Sequence, residues 1–157
     1  QNIRKYLKNV FHAEVTDGIE TDDALGIAQT NETILCSIDK DLDQVDGDHF
    51  NWVKNEYYTV SPFEGTKHFY KQLLTGDPTD NIEGIYGIGK VGAHKIIEKA
   101  TTNDELVEIV SSKYKEHFGE VWEKRLLENS KLVWILREPL GENPLSNPLI
   151  EGLKNVQ

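Results

Sequence analysis

The stretch from Thr33 to Asp41, TILCSIDKD, decides the fold, because a short apolar run ends there at two aspartates. Residues 33–38 predict a buried β-strand. A helix is predicted before it, beginning near Thr21, and residues 13–19 are able to extend as an earlier strand. The order strand, helix, strand predicts a right-handed crossover and therefore an α/β fold with a parallel sheet.

Beyond this strand the pattern passes through a hairpin into helices. Residues 49–60 alternate and are rich in aromatic side chains, which predicts a β-hairpin. Ser61 followed by Pro62 and Glu64 predicts a capped helix start, and this helix should end near Leu74. We therefore expect helices to dominate the second half of the chain.

The pattern divides the chain into three parts. Residues 1–61 are predicted to belong to the α/β core, and residues 62–138 to a helical region. Residues 139–157 are rich in proline and glycine, which predicts an irregular tail.

The composition excludes several classes of protein. The 157 residues are 38% hydrophobic and 28% charged, enough for one buried core. No apolar run approaches the roughly 20 residues of a membrane helix. Because Cys36 is the single cysteine, an internal disulfide is excluded, and the chain fits a reducing, cytoplasmic compartment. Cys36 is predicted to be an inert thiol in the buried strand. The net charge of −10 argues against binding nucleic acid through bulk charge, and a monomer is the default expectation.

The acidic residues are concentrated in three short blocks. Each block places carboxylates where a predicted element begins or ends, and the second follows a parallel strand, the edge at which open α/β sheets bind ligands. Converging carboxylates require a cation, and hard divalent ions prefer carboxylate oxygen. Two such ions would clamp the reacting oxygens of a phosphodiester. The blocks contain Glu20, Asp22 and Asp23; Asp39 and Asp41; and Asp77 and Asp80.

Each block also has a simpler explanation. The first could favour the dipole of the helix that follows it. The third could cap a helix, and one helical turn would place Asp77 and Asp80 on a common face. The loop from Asp39 could be solvated or bind calcium, although Gln44 and Phe50 stand where a calcium loop requires glycine and glutamate. The joint occurrence of three such blocks favours a metal site.

A glycine-rich segment, residues 85–97 (IYGIGKVGAHKII), predicts a second site. Gly-hydrophobic-Gly between two predicted helices allows positive φ and close backbone approach. The following helix would direct free N–H groups at a phosphate. A plain turn is the alternative, and a nucleotide-binding strand–turn–helix is disfavoured because no buried strand is predicted before it. The predicted phosphate-binding residues are Gly87, Ile88, Gly89, Lys90, Gly92 and Lys95.

The histidines and aromatic residues give weaker signals. The five histidines have no metal-ligand spacing, which favours surface or ordinary core roles. Trp52, Tyr57 and Tyr58 could stack on bases, but packing within the hairpin is the simpler explanation. Trp122 and Trp134 are predicted to lie in the core.

The acidic blocks and the glycine hairpin, in this order and spacing, resemble the 5′ nuclease superfamily over roughly residues 13–100. That family comprises flap endonucleases, the 5′ nuclease domains of bacterial DNA polymerase I, and phage 5′→3′ exonucleases. The resemblance implies a PIN-like α/β nuclease core with a parallel sheet, followed by a helical DNA-binding region with a helix–hairpin–helix. It further implies hydrolysis of DNA phosphodiesters near 5′ ends or flaps, with two Mg²⁺ or Mn²⁺ ions, giving 5′-phosphates.

The resemblance also implies a role for each candidate residue. The first block would supply ligands or outer groups of one ion, the second block ligands shared between the ions, and the third block ligands of the other ion. The glycine hairpin would hold duplex DNA without reading its sequence, and can bind K⁺ through backbone carbonyls. The residues implied to be catalytic are Asp22, Asp39 and Asp41.

The chain departs from the family pattern in three ways. Thr21 stands where alanine is usual, and Glu83 where proline is usual. The family also begins with a strand bearing a metal-binding aspartate, then a second such aspartate and a basic arch. Residues 3–11 resemble the helix after that arch, so the core is predicted to be incomplete, with a further segment upstream of Gln1.

Two other functions stay open on the sequence alone. One is a non-catalytic, structure-specific DNA-binding module that retains the hairpin. The other is a calcium-stabilised structural domain. Residues 129–139 resemble phage members of the family, which suggests an enzyme working in a bacterial host cytoplasm.

Overall fold

The computed structural model describes residues 2–139 and 146–155. Short one-turn 3₁₀ helices lie at Asp41–Gln44 and Gly119–Val121. The remaining elements, in chain order, are α1 (Asn2–Phe11), α2 (Thr21–Ala28), β1 (Ile34–Cys36), β2 (Gly47–Asn51), β3 (Glu56–Val60), α3 (Pro62–Thr75), β4 (Gly76–Asp77), β5 (Ile82–Glu83), α4 (Lys90–Ile97), α5 (Asn103–Phe118), α6 (Trp122–Leu132) and α7 (Pro148–Asn155).

The main sheet has the order β1-β2-β3, and β1 pairs with β2 in parallel. The predicted α/β class with a parallel pair is confirmed. The predicted partner of β1 was wrong, because residues 13–19 form no strand and the parallel neighbour is the strand that follows β1. Residues 17–19 bend, and Gly18 there has a positive φ of +78°, which glycine adopts without strain.

Strand β1 is shorter and less buried than predicted. It spans three residues, of which only Leu35 is buried. Ile34 is 51% exposed and Cys36 is also exposed, so the prediction of an inert core thiol was wrong. Successive side chains of a strand point to opposite faces of the sheet, and only the face that bears Leu35 is covered.

The predicted hairpin is confirmed as β2 and β3, which pair in antiparallel register. The ring of Phe50 stacks on Tyr57 with centroids 4.3 Å apart, and His49 stacks on Tyr58 at 5.1 Å. These cross-strand pairs place Tyr57 and Tyr58 in hairpin packing.

Helix α3 begins and ends as the sequence predicts. The Ser61 hydroxyl accepts from the Glu64 N–H, and the Glu64 carboxylate accepts from the Ser61 N–H at 3.0 Å, which completes the capping box. At Gly65 an added Cβ would lie 2.2 Å from the Gln44 carbonyl oxygen. Glycine is therefore required for α3 to lie against the 3₁₀ helix that follows β1.

The buried apolar residues form two clusters of unequal size. The helical core lies between α3, α4, α5, α6 and α7. Trp122 and Trp134, predicted to lie in the core, are partly buried and pack against it. The sheet core contains Leu35, Leu42, Val45 and Ile135. Ile135 lies in the predicted helical region, so residues just after α6 contribute to the core of the sheet. The members of the helical core are Phe69, Tyr70, Leu73, Leu74, Ile85, Ala93, Ile97, Ala100, Leu106, Val107, Val110, Tyr114, Leu126, Val133 and Leu149.

The predicted irregular tail contains helix α7, so that prediction was wrong for residues 148–155; residues 140–145, 156 and 157 lie outside the described ranges. The Asn147 side chain accepts from the Ile150 N–H, and Pro148 occupies the first helical position. Proline in that position favours a helix start, which is why the tail was misinterpreted. Within the described ranges, no helix is both long and apolar enough to cross a bilayer.

Candidate metal centre

Carboxylates from all three acidic blocks line one cavity of about 330 Å³. It lies between the start of α2, the 3₁₀ helix after β1, the β4–β5 ladder and the segment after α6. Segments far apart in sequence therefore bring their negative side chains to a common space, as the sequence predicts. The acidic lining residues are Glu20, Asp22, Asp23, Asp41, Asp77 and Asp80.

The first block lies at the start of α2. Glu20 precedes the helix with extended backbone, and Asp22 and Asp23 occupy the first turn. Their charges favour the helix dipole, so the simpler explanation and the metal-site explanation are compatible. One Asp23 carboxylate oxygen accepts from the Leu136 N–H at 2.9 Å, whereas Asp22 is half-buried at the cavity.

The second block lies where β1 leads into the 3₁₀ helix. The Asp39 N–H donates to the Ser37 hydroxyl, and an Asp39 carboxylate oxygen accepts from the Asp41 N–H, both at 3.0 Å. Asp41 is half-buried and lines the cavity, while Asp39 is exposed beside it. A calcium loop does not form here, because residues 41–44 turn into the 3₁₀ helix and residues 47–51 into a strand.

The third block lies in a tight hairpin rather than in a helical turn, so the prediction of a shared helix face was wrong. Asp77 belongs to β4, its carboxylate accepts from the Thr79 N–H at 2.8 Å, and Asp80 lies in the turn. At Gly84 an added Cβ would lie 2.2 Å from the Thr75 carbonyl carbon. Only glycine allows β5 to lie this close to the end of α3, and this contact fixes the turn.

The carboxylates destabilise one another's charged forms. The pKa of Asp22 is raised, first by desolvation and then by the charges of Asp39, Asp23 and Asp80. Desolvation followed by Asp39 and Asp77 raises the pKa of Asp41, partly offset by Lys90. Within the described part of the chain, none of the seven carboxylates pairs with a lysine, arginine or histidine. The cavity therefore has excess negative charge, which a bound cation would neutralise.

The carboxylate oxygens of the cavity suit a hard divalent cation. They do not form a site in which most of the ligands of one ion come from the protein. Among the described residues, no three histidine, cysteine, aspartate or glutamate side chains converge closely enough to hold one ion. Mg²⁺ characteristically uses one or two carboxylates and completes its coordination with water and substrate phosphate. The arrangement is compatible with that mode.

Sequence reasoning missed the wall of the cavity opposite the carboxylates. It is formed by residues 131–136, with Gln72 and Asn147 nearby. Lys131 is the one lysine among the described lining residues. The resemblance of residues 129–139 to phage sequences assigns this segment no place in the fold. The segment reaches the cavity through contacts across about ninety positions of sequence, such as the hydrogen bond from Gln44 to Val133.

The glycine hairpin has the predicted backbone freedom but a different neighbour. Gly87 has φ +84°, and the Ile88 N–H donates to the Ile85 carbonyl to close the turn. An added Cβ at Gly87 or Gly89 would meet nothing within 4 Å, so this backbone is open to a ligand. The preceding element is β5 rather than a helix, since the β4–β5 ladder separates α3 from the hairpin. The expectation of two directly flanking helices was therefore wrong.

The residues that begin α4 are also accessible. Lys90 and Lys95 are exposed and Gly92 is half-buried, while Ile88 packs against the helical core. The first N–H groups of a helix have no intrahelical partner, so α4 presents free donors beside Lys90. These features suit a phosphate.

The histidines have the ordinary roles that the sequence favours. His49 is buried and its Nε2 lies 2.8 Å from the Val45 carbonyl oxygen. Desolvation lowers the pKa of His68 to about 4. His94 is exposed and lies 3.9 Å from Glu98.

One comparison with solved structures supports the fold. No family model matches the sequence. The thermostable DNA polymerase I of Thermus caldophilus is 28% identical over 149 residues, which cover 86% of this chain and 18% of the polymerase. The T5 D15 protein, crystallised with metal ions, has a similar fold with a TM-score of 0.56 and 16% identity, over 98% of this chain and 69% of that one.

These findings confirm the resemblance to the 5′ nuclease superfamily. The chain spans about a fifth of the length of the polymerase that it matches, 18%. The similarity to the T5 D15 protein concerns the fold.

Proposed function

We propose that the protein is a metal-dependent 5′→3′ exonuclease or flap endonuclease that hydrolyses DNA phosphodiesters to give 5′-phosphates. The observation that carries the proposal is the acidic cavity, in which three separated blocks of sequence share one space without basic partners in the described residues. The glycine hairpin follows the third block directly and supplies a surface for the DNA backbone.

The carboxylates of this chain would hold two Mg²⁺ or Mn²⁺ ions. Asp22, Asp23 and Glu20 would serve one ion, Asp77 and Asp80 the other, and Asp39 and Asp41 would lie between them. Bound ions supply Lewis-acid activation of water and stabilise the charge that develops on a phosphodiester. The residues' own contribution is to hold and orient the ions with their carboxylate oxygens.

The hairpin would position the substrate. Free N–H groups at the start of α4, with Lys90 and Lys95, bind phosphate oxygens and so recognise the backbone without reading bases. The backbone carbonyls of Gly87 to Gly89 are candidates for a K⁺ ion. We expect a monomer acting on the 5′ end or flap of a DNA duplex in a bacterial cytoplasm.

A second function is favoured by one observation. Among the described residues no three acidic or histidine side chains converge on a single point. A non-catalytic module that binds branched DNA through the hairpin would need no such convergence.

One cleavage assay separates the two functions. The wild type, Asp22→Asn and Asp41→Asn are compared on a 5′-labelled DNA flap, with Mg²⁺ and with a chelator. We expect both variants to lose about 100-fold or more of the Mg²⁺-dependent rate while binding the flap as before. Asp104→Asn, an exposed aspartate at the start of α5, is the matched control and should cleave normally.

The alternatives give different results. DNA binding without cleavage by the wild type would favour the non-catalytic module. Undiminished Mg²⁺-dependent cleavage by Asp22→Asn and Asp41→Asn would contradict the assignment of the cavity.

A further inference from the structure

The segment 133–137, which follows α6, is held against the carboxylate-bearing elements. The Leu136 N–H donates to a carboxylate oxygen of Asp23 at 2.9 Å, across 113 positions of sequence. At Gly26 an added Cβ would lie 2.3 Å from the Leu136 carbonyl oxygen, so α2 and the segment are in backbone contact. The position of α2 therefore depends on where this segment lies.

Gln44 ties the segment to the opposite side of the cavity. Its side chain is buried, with 2% exposed, and its amide nitrogen donates to the Val133 carbonyl at 2.6 Å and to the Gln72 side chain. Its amide oxygen accepts from the Ile135 N–H at 3.4 Å. Gln44 ends the 3₁₀ helix that begins at Asp41, so one side chain links Asp41's element to the segment.

Arg137 makes the second link. Its guanidinium donates to the carbonyl oxygens of Ile135 and Gln44, both at 2.6 Å, and lies 4.6 Å from the centre of the Trp134 ring. A planar guanidinium directs its N–H donors at two acceptors in a fixed fork while its face lies on an aromatic ring, a geometry that a compact ammonium does not reproduce. Arg137 therefore locks the end of the segment onto the backbone of the 3₁₀ helix.

We infer that Gln44 and Arg137 are positioning residues for the carboxylate cluster. They fix segment 133–137 on the 3₁₀ helix, and Leu136 in turn orients Asp23 and the first turn of α2. The separation between Asp22 and Asp41 is thereby set by side chains that touch neither. In this arrangement Asp23 holds α2 in place through its hydrogen bond. The inference rests on the proposed function, because it concerns the same cavity.

The test uses Mn²⁺ alone, titrated into the protein by calorimetry, beside thermal unfolding. Gln44→Met keeps the side-chain length, and Arg137→Met keeps part of the apolar stem. Both remove the hydrogen bonds, and each should weaken Mn²⁺ binding by about 10-fold or more. Arg137→Lys, which keeps a donor, should recover part of that loss. Val110→Ala, in the helical core, is the matched control: it should lower the unfolding temperature without changing Mn²⁺ affinity.

Asp23 provides a second measurement that does not depend on the folding of the Gln44 variant. Asp23→Asn keeps an acceptor oxygen for the Leu136 N–H but loses one carboxylate charge of the cavity, whereas Asp23→Ala loses both. Asp23→Ala should therefore weaken Mn²⁺ binding by about 10-fold more than Asp23→Asn.

The possible contrary results are distinct. Gln44→Met and Arg137→Met that lose thermal stability but keep wild-type Mn²⁺ affinity would overturn the positioning role. Equal losses of affinity in Asp23→Asn and Asp23→Ala would also overturn it. Equal Mn²⁺ binding by the wild type and Asp22→Asn would instead overturn the proposed function.

Discussion

The helical core and the sheet core differ in how far they can stand alone. Within the described residues, the helical core has fifteen buried members from five helices and their connections, whereas the sheet core has four. One of those four, Ile135, belongs to the segment after α6. The sheet side is therefore stabilised largely through its contacts with the helical side.

The candidate site lies across the boundary between these two regions. Asp22, Asp39 and Asp41 belong to the sheet side, and Asp77 and Asp80 to the helical side. The geometry of the carboxylates thus depends on how the smaller core sits against the larger one. A substitution in the helical core and one in the sheet core should therefore differ in how much each lowers the free energy of unfolding and in how much each disturbs the carboxylates.

The largest effect is expected in the helical core. Phe69 is fully buried and contacts Trp134 with ring centroids 5.2 Å apart. Phe69→Ala should lower the free energy of unfolding by about 4 kcal/mol, because it leaves a large cavity. Leu35→Ala, in the sheet core, should cost only about 2 kcal/mol, since β1 lies at an edge where the structure can relax. Urea unfolding of both variants measures the difference.

Hydrogen exchange sharpens this comparison. Leu35→Ala should increase amide exchange in β1 and β2 while α3 and α5 stay protected. Equal loss of protection in both regions would mean that the two cores unfold as one unit and that the contrast between them is wrong.

A smaller effect is expected from the histidine where α3 faces the 3₁₀ helix. Burial lowers the pKa of His68 to about 4 from the ordinary 6.5. The unfolded chain therefore binds the proton first, and stability should be lost as the pH falls from 6.5 to 4, by on the order of 2 kcal/mol. His68→Gln should remove that part of the pH dependence, measured by urea unfolding at several pH values.

His94→Gln is the control for His68, because the His94 ring is 59% exposed. If His68→Gln and the wild type lose the same stability between pH 6.5 and 4, His68 does not carry a proton-linked contribution.

The sequence predicted those elements whose signals are local. The capping box at Ser61 and the alternation in residues 49–60 depend on neighbouring residues, and both were confirmed. The first two acidic blocks also lie beside elements that the local pattern identifies, whereas the third lies in the β4–β5 hairpin, which the local pattern does not identify. Six of the seven candidate carboxylates nevertheless line one cavity.

Features that depend on distant contacts could not be predicted. Strand β1 pairs in parallel with Gly47–Asn51, and no local pattern in the sequence predicts that pairing. The β4–β5 ladder forms because Gly76 and Gly84 allow close contact between backbones. In the sequence these two glycines cannot be distinguished from ordinary loop glycines. The wall formed by residues 131–136 is held at Val133 and Ile135 by Gln44, a single polar residue with no periodic signature.

The smallest effect tests the electrostatic balance between the two sides. Because the folded-state pKa values of Asp22 and Asp41 are raised, their charged forms weaken the fold once the pH exceeds their folded-state pKa values. Asp41→Asn should therefore raise the unfolding temperature at pH 7 in chelator, by on the order of 1 °C given the partial solvent screening. The gain should vanish below about pH 3.8, where the carboxyl is neutral in both states.

Adding Mg²⁺ should stabilise the wild type more than Asp41→Asn, since the ion relieves a repulsion that the variant lacks. Differential scanning calorimetry with and without Mg²⁺ measures both effects. A lower unfolding temperature for metal-free Asp41→Asn than for the metal-free wild type would show that the Asp41 carboxylate stabilises the contact between the two cores rather than destabilising it.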